Sequence, residues 1–308
     1  MINDPIIQWL LDGDVSIQYQ VYRDLLNIDK PKLQNRIATE GWGQILLSKR
    51  QSNGHWGRGF YQPKWISSHY TLLELKNLAI SPSVPEIRLT VEKILAEEKS
   101  ADGGINPSSG TIHSDVCVNG MFLNYASYFT APETDLKSVI DFLAGQQLGD
   151  GGFNCHSNRK GAVHSSLHTT LSVLEGFLEY SRNGYNYRID DLLRMENESR
   201  EFILQHHLFK SDKTGRVIDP KMTRFSYPCR WRYDVLKALD YFQDARIPYD
   251  NRMDEALELL LKKRNTEQKW LLQAKHPGRT HVEMETPGKA GRWNTLRALR
   301  VLKHFNIE

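Results

Sequence analysis

Cysteine is scarce in this sequence, and long apolar runs are absent from it. The 308 residues include three widely separated cysteines, Cys117, Cys155 and Cys229. An odd number at such spacing does not predict a disulfide framework, and the reducing cytoplasm is the expected location. Because the mean hydropathy is −0.53 and no long apolar run occurs, no transmembrane helix is expected. Residues 1–14 lack both a basic region and an apolar stretch of signal length, so no secretion signal is expected.

Charge of one sign is not in excess either. The net charge is +3, and the sequence contains no basic run, RNA-recognition motif or zinc-finger spacing. Nucleic acid is therefore not expected as a partner. Hydrophobic residues make up 40% and charged residues 25% of the chain, which is typical of a globular protein with a sizeable core.

A glycine-centred turn recurs along the chain at intervals of 49 and 48 residues. The clear copies are Asn53-Gly54, Asp102-Gly103 and Asp150-Gly151, and weaker copies lie at residues 213–215 and 268–270. Each turn is followed by an irregular stretch and then by a segment with helical periodicity. These segments are residues 65–78, 116–129, 168–180, 230–242 and 293–305.

A second set of helical segments lies between these. In residues 136–147, the apolar side chains recur at i, i+3, i+4 and i+7, which places them on one face of a helix. Residues 87–98 and 253–263 follow a comparable pattern, and hardly any stretch alternates as a strand does. Each unit of about 50 residues is therefore a helical hairpin with a glycine-rich turn, which must stack on its neighbours to bury its apolar face.

This repeat predicts the architecture. With the segment at residues 6–26, the chain holds about six hairpins. An open row of hairpins leaves apolar ends, and closure into a ring removes them. We therefore expect an all-α (α/α)6 toroid, a single domain over residues 1–308 whose inner helices surround a central cavity. An open α-solenoid is the alternative.

Two of the turns resemble a known superfamily. Residues 51–57 (QSNGHWG) and 147–153 (QLGDGGF) are similar to the Q-x-x-D-G-G-W/F repeats of squalene cyclases and protein prenyltransferase β subunits. At the level of repeats the resemblance covers nearly the whole chain, and it is strongest to bacterial proteins of about this length with such repeats. The resemblance implies the (α/α)6 barrel, whereas an activity has to be argued from the site.

In a toroid the turns that precede the inner helices rim the cavity, so functional side chains are expected there. The candidates for substrate binding are Trp65, His69, Arg224, Arg230, Trp231, His281, Glu283 and Arg292, and those for catalysis are Asp115, His164, His168, Tyr227 and Asp234. The arginines would hold an anionic group of the substrate. The alternative is that these polar side chains cap the helices and pair with one another. Trp56 and Trp270 lie inside the turns, where they are expected to brace adjacent hairpins.

Asp115, Cys117 and His168 match in order and type the zinc ligands of protein prenyltransferase β subunits. The resemblance implies a zinc ion with three protein ligands and an open fourth position, where a thiol or water is activated. The candidates for further partners are Cys155, His113 and His164. The alternative is a buried cysteine beside a capping aspartate and a hydrogen-bonded histidine.

The chain also departs from that family. Ser109 and Ile112 stand where prenyltransferase β subunits have the Arg and Lys that hold diphosphate, and Val118 stands where they have a tyrosine. The separate α subunit with which they act cannot be inferred from this sequence. The Asp-x-Asp-Asp acid of the cyclases is absent, and the single Cys155-His156 pair is a weak likeness to lanthionine cyclases. Glu283 and Glu285 are poorly spaced for a glycosidase pair.

The sequence therefore predicts a transferase-like or cyclase-like enzyme, with zinc as its cofactor and a small-molecule or peptide ligand in a polar central cavity. A non-catalytic toroid that binds such a ligand is the alternative from a different class. Open space beside Asp115 and His168 would favour the enzyme, and mutual pairing of the rim charges would favour the binding protein.

Overall fold

Helices are the main regular structure of residues 2–107 and 113–307, which are the residues described by this computed structural model. Ser109 and Ile112, on which the comparison with diphosphate-binding residues depends, lie outside the described residues. Within those two ranges no strand forms, and extended segments meet only as isolated pairs, for example Lys99 with Ile105. The predicted all-α class is confirmed.

The helices have the following bounds. They are α1 (Pro5–Leu11), α2 (Val15–Gln20), α3 (Pro31–Arg36), α4 (Gly41–Ser48), α5 (Ser68–Asn77), α6 (Pro85–Glu97), α7 (Val116–Tyr128), α8 (Glu133–Ala144), α9 (Ser157–Lys160), α10 (Leu167–Arg182), α11 (Ile189–Gln205), α12 (Val235–Asp244), α13 (Asp254–Lys262) and α14 (Arg292–Phe305). A π-helical turn, Val21–Leu25, continues α2, and short 3-10 turns lie at Lys64–Ile66, Pro220–Thr223 and Asn251–Met253. In the described ranges, no helix combines the length and the apolar character needed to cross a membrane.

Helices that follow the glycine-rich turns differ in burial from the helices between them. In α7, every residue from Val118 to Ser127 is buried. In α8, the buried side chains form one stripe, whose members are Leu136, Val139, Ile140, Phe142 and Leu143. The stripe contains the residues that the i, i+3, i+4, i+7 pattern indicates, so the opposite face of α8 is left to solvent.

The chain divides into two compact units. Unit 1 consists of Met1–Lys49, Asn77–Ser81 and His206–Glu308, and unit 2 of Arg50–Lys76 and Pro82–Gln205. Unit 1 holds α1 to α4 and α12 to α14, and unit 2 holds most of α5 and all of α6 to α11. The single domain expected over residues 1–308 stays a prediction.

In unit 2, α7 and α10 pack against each other along much of their length. A Cβ atom on Gly120 would lie 2.6 Å from the carbonyl oxygen of Ser172, and one on Gly176 would lie 2.5 Å from the carbonyl oxygen of Gly120. Both distances are shorter than van der Waals contact, so the two backbones approach this closely only because glycine has no side chain.

In unit 1, α12 packs on α14, and partly buried ion pairs join them. Arg297 Nε lies 3.0 Å from Asp240 Oδ2, and Arg300 Nη2 lies 3.0 Å from the same oxygen. Arg300 Nη1 also lies 2.9 Å from Asp24 Oδ2 in the π-helical turn. Because a buried charge is costly without a partner, these pairs hold the three segments in one arrangement.

One hydrogen bond recurs at four turns. The backbone N–H of a fully buried turn residue donates to a side-chain oxygen in the first turn of the helix that follows. The pairs are Trp56 with Ser68 (3.0 Å), Ile105 with Asn119 (2.7 Å), Phe153 with Thr170 (2.9 Å) and Trp270 with Thr295 (3.1 Å). Trp56 and Trp270 thus brace the turn against the helix within each unit.

The aspartates of two turns fasten the chain ahead of the next helix. Asp102 accepts hydrogen bonds from the N–H and the hydroxyl of Ser114, both at 2.7 Å, and Asp150 accepts the same two from Ser165. The glycines that follow, Gly103 and Gly151, both have φ of +87°, where a side chain would be strained. The Asp-Gly-Gly pattern therefore has the same geometric cause in both copies.

Candidate functional site

Three consecutive repeats of unit 2 place polar side chains together. Tyr61 comes from the segment before α5, Asp115 and Cys117 from the start of α7, and Cys155 and Arg159 from the segment before α10. We call these five residues the Cys155 cluster. The N–H of Cys117 lies 3.0 Å from Cys155 Sγ, and Arg159 Nη1 lies 2.9 Å from Asp115 Oδ1. Burial raises the pKa of Tyr61 well above its usual value, and the acidic groups of Cys117, Asp115 and Cys155 add to this effect.

The sulfur of Cys155 accepts two hydrogen bonds. The donors are the N–H of Cys117, at 3.0 Å, and the hydroxyl of Thr169, at 3.5 Å. The neighbouring Cys117 side chain and these donors lower the pKa of Cys155, although burial opposes them. The neighbouring Cys155 side chain and burial raise the pKa of Cys117. Cys155, which accepts both hydrogen bonds, is therefore the thiol of the pair that is favoured to ionise.

The start of α7 explains why an N–H is available for this sulfur. Cys117 is the second residue of α7, so its N–H has no partner within the helix. Asp115 directly precedes α7 but makes no capping hydrogen bond with its side chain. Burial raises the pKa of Asp115, and the charge of Arg159 opposes that rise. The structure thus gives Asp115 an ion pair in place of the capping bond that we considered from the sequence.

His69 lies on α5 in an aromatic surrounding. It is fully buried, and its ring contacts those of Phe60 (5.4 Å between centroids), Tyr61 (5.6 Å) and Tyr70 (4.8 Å). Nδ1 lies 3.2 Å from the Tyr125 hydroxyl, and Nε2 has no hydrogen-bond partner. Burial lowers the pKa of His69 to about 3, so the imidazole is neutral near pH 7.

Lys64 adds positive charge to this region. Its charge acts on Asp115, Cys117 and His69, and its Nζ lies 5.0 Å from the centre of the Trp65 ring. A positive charge that acts on Cys117 and Asp115 favours a thiolate or another anionic group nearby.

The predicted zinc ligands are partly brought together. Asp115 and Cys117 lie at the start of α7, and His168 lies in the first turn of α10. Across residues 2–107 and 113–307, no group of three or more His, Cys, Asp or Glu side chains is placed to hold a metal ion. Asp115 is paired with Arg159, and the N–H of Cys117 bonds to the Cys155 sulfur. Side chains in this arrangement do not fit a zinc ion, and the zinc site stays a prediction.

The other predicted residues of unit 2 have different surroundings. Trp65 is buried and lies edge-on to Tyr70, with 4.8 Å between ring centroids. His164 is exposed, and its carbonyl oxygen accepts a hydrogen bond from Asn154 Nδ2 at 2.8 Å. Trp65 therefore lies in the aromatic surrounding of His69, while the side chain of His164 faces solvent.

The remaining predicted residues belong to unit 1. Asp234 is buried and accepts hydrogen bonds from Ser226 and from the N–H of Lys237, so it caps α12. Tyr227 stacks on Trp293 at 4.5 Å between centroids. The buried Arg230 has φ of +56°, which keeps it out of the helix. For these three residues the catalytic and binding roles stay predictions.

Four further candidates of unit 1 make local contacts. Arg224 and Arg292 each donate a hydrogen bond of 3.0 Å to a backbone carbonyl oxygen, that of Gln273 and that of Trp9 respectively. The Glu283 carboxylate forms an ion pair with Lys275 and accepts a hydrogen bond from the Thr280 hydroxyl. The Arg232 guanidinium lies 4.8 Å from the centre of the Trp231 ring. The last candidate, His281, is half-buried. The predicted binding roles of these residues stay predictions.

A cavity of about 420 Å³ lies elsewhere on unit 2. Its lining includes Asp102, His113, Ser138, Asp141 and Asn158. Ser138 Oγ and Asn158 Oδ1 are buried atoms without a hydrogen-bond partner. Asn158 and Arg159 are neighbours on α9, so one short helix connects this cavity to the Cys155 cluster.

Sequence reasoning missed three members of this region. Tyr61, Lys64 and Arg159 lie in irregular or short helical segments with no periodicity that would mark them. Cys155 was considered only as an additional metal partner. Its 38-residue separation from Cys117 gives no local signal, although both follow a glycine-rich turn, and that shared position was the available hint.

Comparison with known proteins adds no assignment to this geometry. Neither the protein-family models nor the curated proteins with which the chain was compared give a match.

Proposed function

We propose that this chain is a cytoplasmic enzyme whose nucleophile is the Cys155 thiolate and whose substrate is a small molecule with an anionic group. One observation carries the proposal: the Cys155 sulfur accepts hydrogen bonds from the Cys117 N–H and from the Thr169 hydroxyl. Donors placed in this way stabilise a thiolate, which is the reactive form of cysteine. That all three cysteines are free supports a reducing compartment.

We also propose that the hairpins close into the (α/α)6 toroid of the superfamily that the repeats resemble. The hydrogen bond between a turn residue and the following helix supports this proposal, because it recurs at four turns with the same geometry. Repeated contacts of this kind are expected when each hairpin stacks on the next. In a toroid, the starts of α5, α7 and α10 would open on the central cavity, which the substrate would enter.

The residues of the Cys155 cluster have distinct parts in the proposed reaction. Cys155 attacks an electrophilic carbon of the substrate, and the leaving group departs with the electron pair of the broken bond. The N–H of Cys117 holds the sulfur in place before the attack. Lys64 attracts the anionic group of the substrate, because its positive charge acts on the start of α7, where Asp115 and Cys117 lie.

Active esters test the nucleophile. Wild-type protein mixed with 4-nitrophenyl succinate should release about one nitrophenolate per chain in a burst, as the acyl group is transferred to sulfur. Cys155→Ser should abolish the burst, whereas Cys229→Ser should keep it, because Cys229 is buried. Lys64→Gln should reduce the preference for the succinate over the neutral 4-nitrophenyl acetate several-fold.

The outcome also decides between the enzyme and the alternative. A burst that survives Cys155→Ser would disprove Cys155 as the nucleophile. A wild-type protein that gives no burst, while iodoacetamide labels Cys155 no faster than Cys229 in the folded protein, would favour the non-catalytic toroid that binds its ligand.

A further inference from the structure

The two half-buried cysteines of unit 2 lie in direct contact. The Cys117 N–H lies 3.0 Å from the Cys155 sulfur and donates a hydrogen bond to it. The residues are 38 positions apart, so this contact results from the packing of consecutive repeats. Cys117 sits in the first turn of α7, and Cys155 sits in a turn before α9, outside any helix.

We infer that Cys155 and Cys117 form a thiol modification site, in which Cys155 reacts with a small-molecule disulfide and Cys117 resolves the product to an intramolecular disulfide. The inference goes beyond the proposed enzyme, because it needs only the two thiols and an external disulfide. Its effect on catalysis, namely loss of the nucleophile in the oxidised form, rests on the proposed function.

The placement of the donors assigns the order of the two steps. The sulfur of Cys155 accepts hydrogen bonds from the Cys117 N–H and the Thr169 hydroxyl, which stabilise a thiolate, so Cys155 is the attacking sulfur. Cys155 loses its proton and forms a bond to one sulfur of a disulfide R–S–S–R, and the other sulfur leaves as a thiolate, RS⁻, which takes up a proton. Cys117 then loses its proton and attacks the Cys155 sulfur, which expels the second RS⁻, and this thiolate takes up the second proton. Two protein thiols are oxidised, and one small-molecule disulfide is reduced to two thiols.

Ring closure requires a movement of the two side chains. A sulfur–sulfur bond is about 2 Å long, so the two side chains have to move closer than a hydrogen bond requires. Cys155 lies in a turn, which moves more easily than a helix, and the hydrogen bonds that hold its sulfur are long or come from Cys117 itself. The contact of the reduced thiols supplies the proximity on which ring closure depends.

The third cysteine provides an internal control. Cys229 is buried in unit 1, where its thiol donates to the Ser226 carbonyl oxygen at 3.0 Å and Arg297 Nη1 lies 3.3 Å from its sulfur. An external disulfide has no access to a buried sulfur. We therefore expect Cys229 to stay reduced under conditions that oxidise the other two cysteines.

Oxidised glutathione tests this inference on the full-length protein. After treatment, denaturation and alkylation with N-ethylmaleimide, wild-type protein should carry one maleimide instead of three and should weigh about 2 Da less than the reduced chain before alkylation. Proteolysis should give a cross-linked peptide pair that contains Cys117 and Cys155. Cys117→Ser should stop at one stable glutathione adduct on Cys155, and Cys155→Ser should carry neither adduct nor disulfide. Cys229→Ser should form the disulfide as the wild type does.

Other results would overturn the inference. They are a stable glutathione adduct in the wild type, an adduct on Cys117 in the Cys155→Ser protein, or three free thiols after treatment. Unfolding midpoints of the reduced variants, measured beside the wild type, separate loss of the site from loss of the fold. A protein that forms the disulfide but shows no ester burst when reduced would refute the proposed enzyme and leave this site standing.

Discussion

Glu285 provides a test of how burial changes stability with pH. It precedes α14, and its Oε1 accepts the N–H of Trp293 at 2.8 Å. Burial raises the pKa of Glu285 from 4.5 to about 7, although the N–H of Trp293 and the charge of Arg292 act in the opposite direction. The folded chain therefore holds a proton on this carboxyl at pH values at which the unfolded chain has lost it.

The sign and size of the effect follow from these two pKa values. Below pH 4.5 the carboxyl is protonated in both states, so it brings no penalty. As the pH rises from 4.5 to about 7, only the unfolded state ionises, and the free energy of unfolding falls. At about 1.4 kcal/mol for each pKa unit, the full loss is about 3 kcal/mol, and it is reached above pH 7.

Replacement of Glu285 by Gln removes this ionisation and keeps an oxygen that can accept the N–H of Trp293. We expect Glu285→Gln to raise the free energy of unfolding at pH 8.5 by about 2 kcal/mol, somewhat less than the full loss because the amide is also desolvated. At pH 4 the variant and the wild type should be equally stable. Urea unfolding followed by circular dichroism at both pH values measures the difference.

Glu283 is the matched control. It lies two residues away but is exposed, and its pKa is lowered by hydrogen bonds from Lys275 and Thr280. Its stabilising contribution is present above its unfolded pKa, so Glu283→Gln should not stabilise the chain at pH 8.5. The reasoning fails if Glu285→Gln destabilises the protein at pH 8.5, or if it changes stability equally at both pH values.

Two further predictions concern packing and metal. Gly120→Ala places a Cβ atom 2.6 Å from the Ser172 carbonyl oxygen and should lower the free energy of unfolding by about 2 kcal/mol or more. In the control variant Gly145→Ala, the new Cβ atom meets no atom closer than 3.5 Å, so the free energy of unfolding should change little. Equal urea midpoints for the two variants would contradict the close packing of α7 and α10. Elemental mass spectrometry of tag-free protein tests the predicted zinc site. The prediction is supported if the wild type carries about one zinc per chain and both Cys117→Ala and His168→Ala lose it. Metal-free wild-type protein would rule the site out.

The helical pattern was predicted closely wherever local periodicity was strong. Residues 116–129 were expected to be helical, and α7 is Val116–Tyr128. Residues 230–242 gave a poorer result, since α12 begins only at Val235. The reason is local and specific: Arg230 takes a left-handed φ, and the Asp234 side chain caps the N–H of Lys237, so the helix starts after both.

The candidate site was harder to predict than the helices. Asp115 and Cys117 were identified because they match a motif, but their partners Arg159 and Cys155 lie in another repeat. A motif states which residue types are present, whereas the partner of an ion pair or of a thiol depends on which loop packs against the helix. The zinc prediction rested on the motif alone and therefore could not anticipate that Arg159 would occupy the carboxylate.

The all-helical class and the positions of the glycine-rich turns were determined by the sequence itself, because helical periodicity and the positive φ of Gly103 and Gly151 act over a few residues. The contact of Cys117 with Cys155 and the burial of Glu285 were decided only by the tertiary structure. Such features depend on the desolvation of a side chain and on the approach of segments that are distant in sequence. Both arise only when whole hairpins pack, so the local sequence does not indicate them.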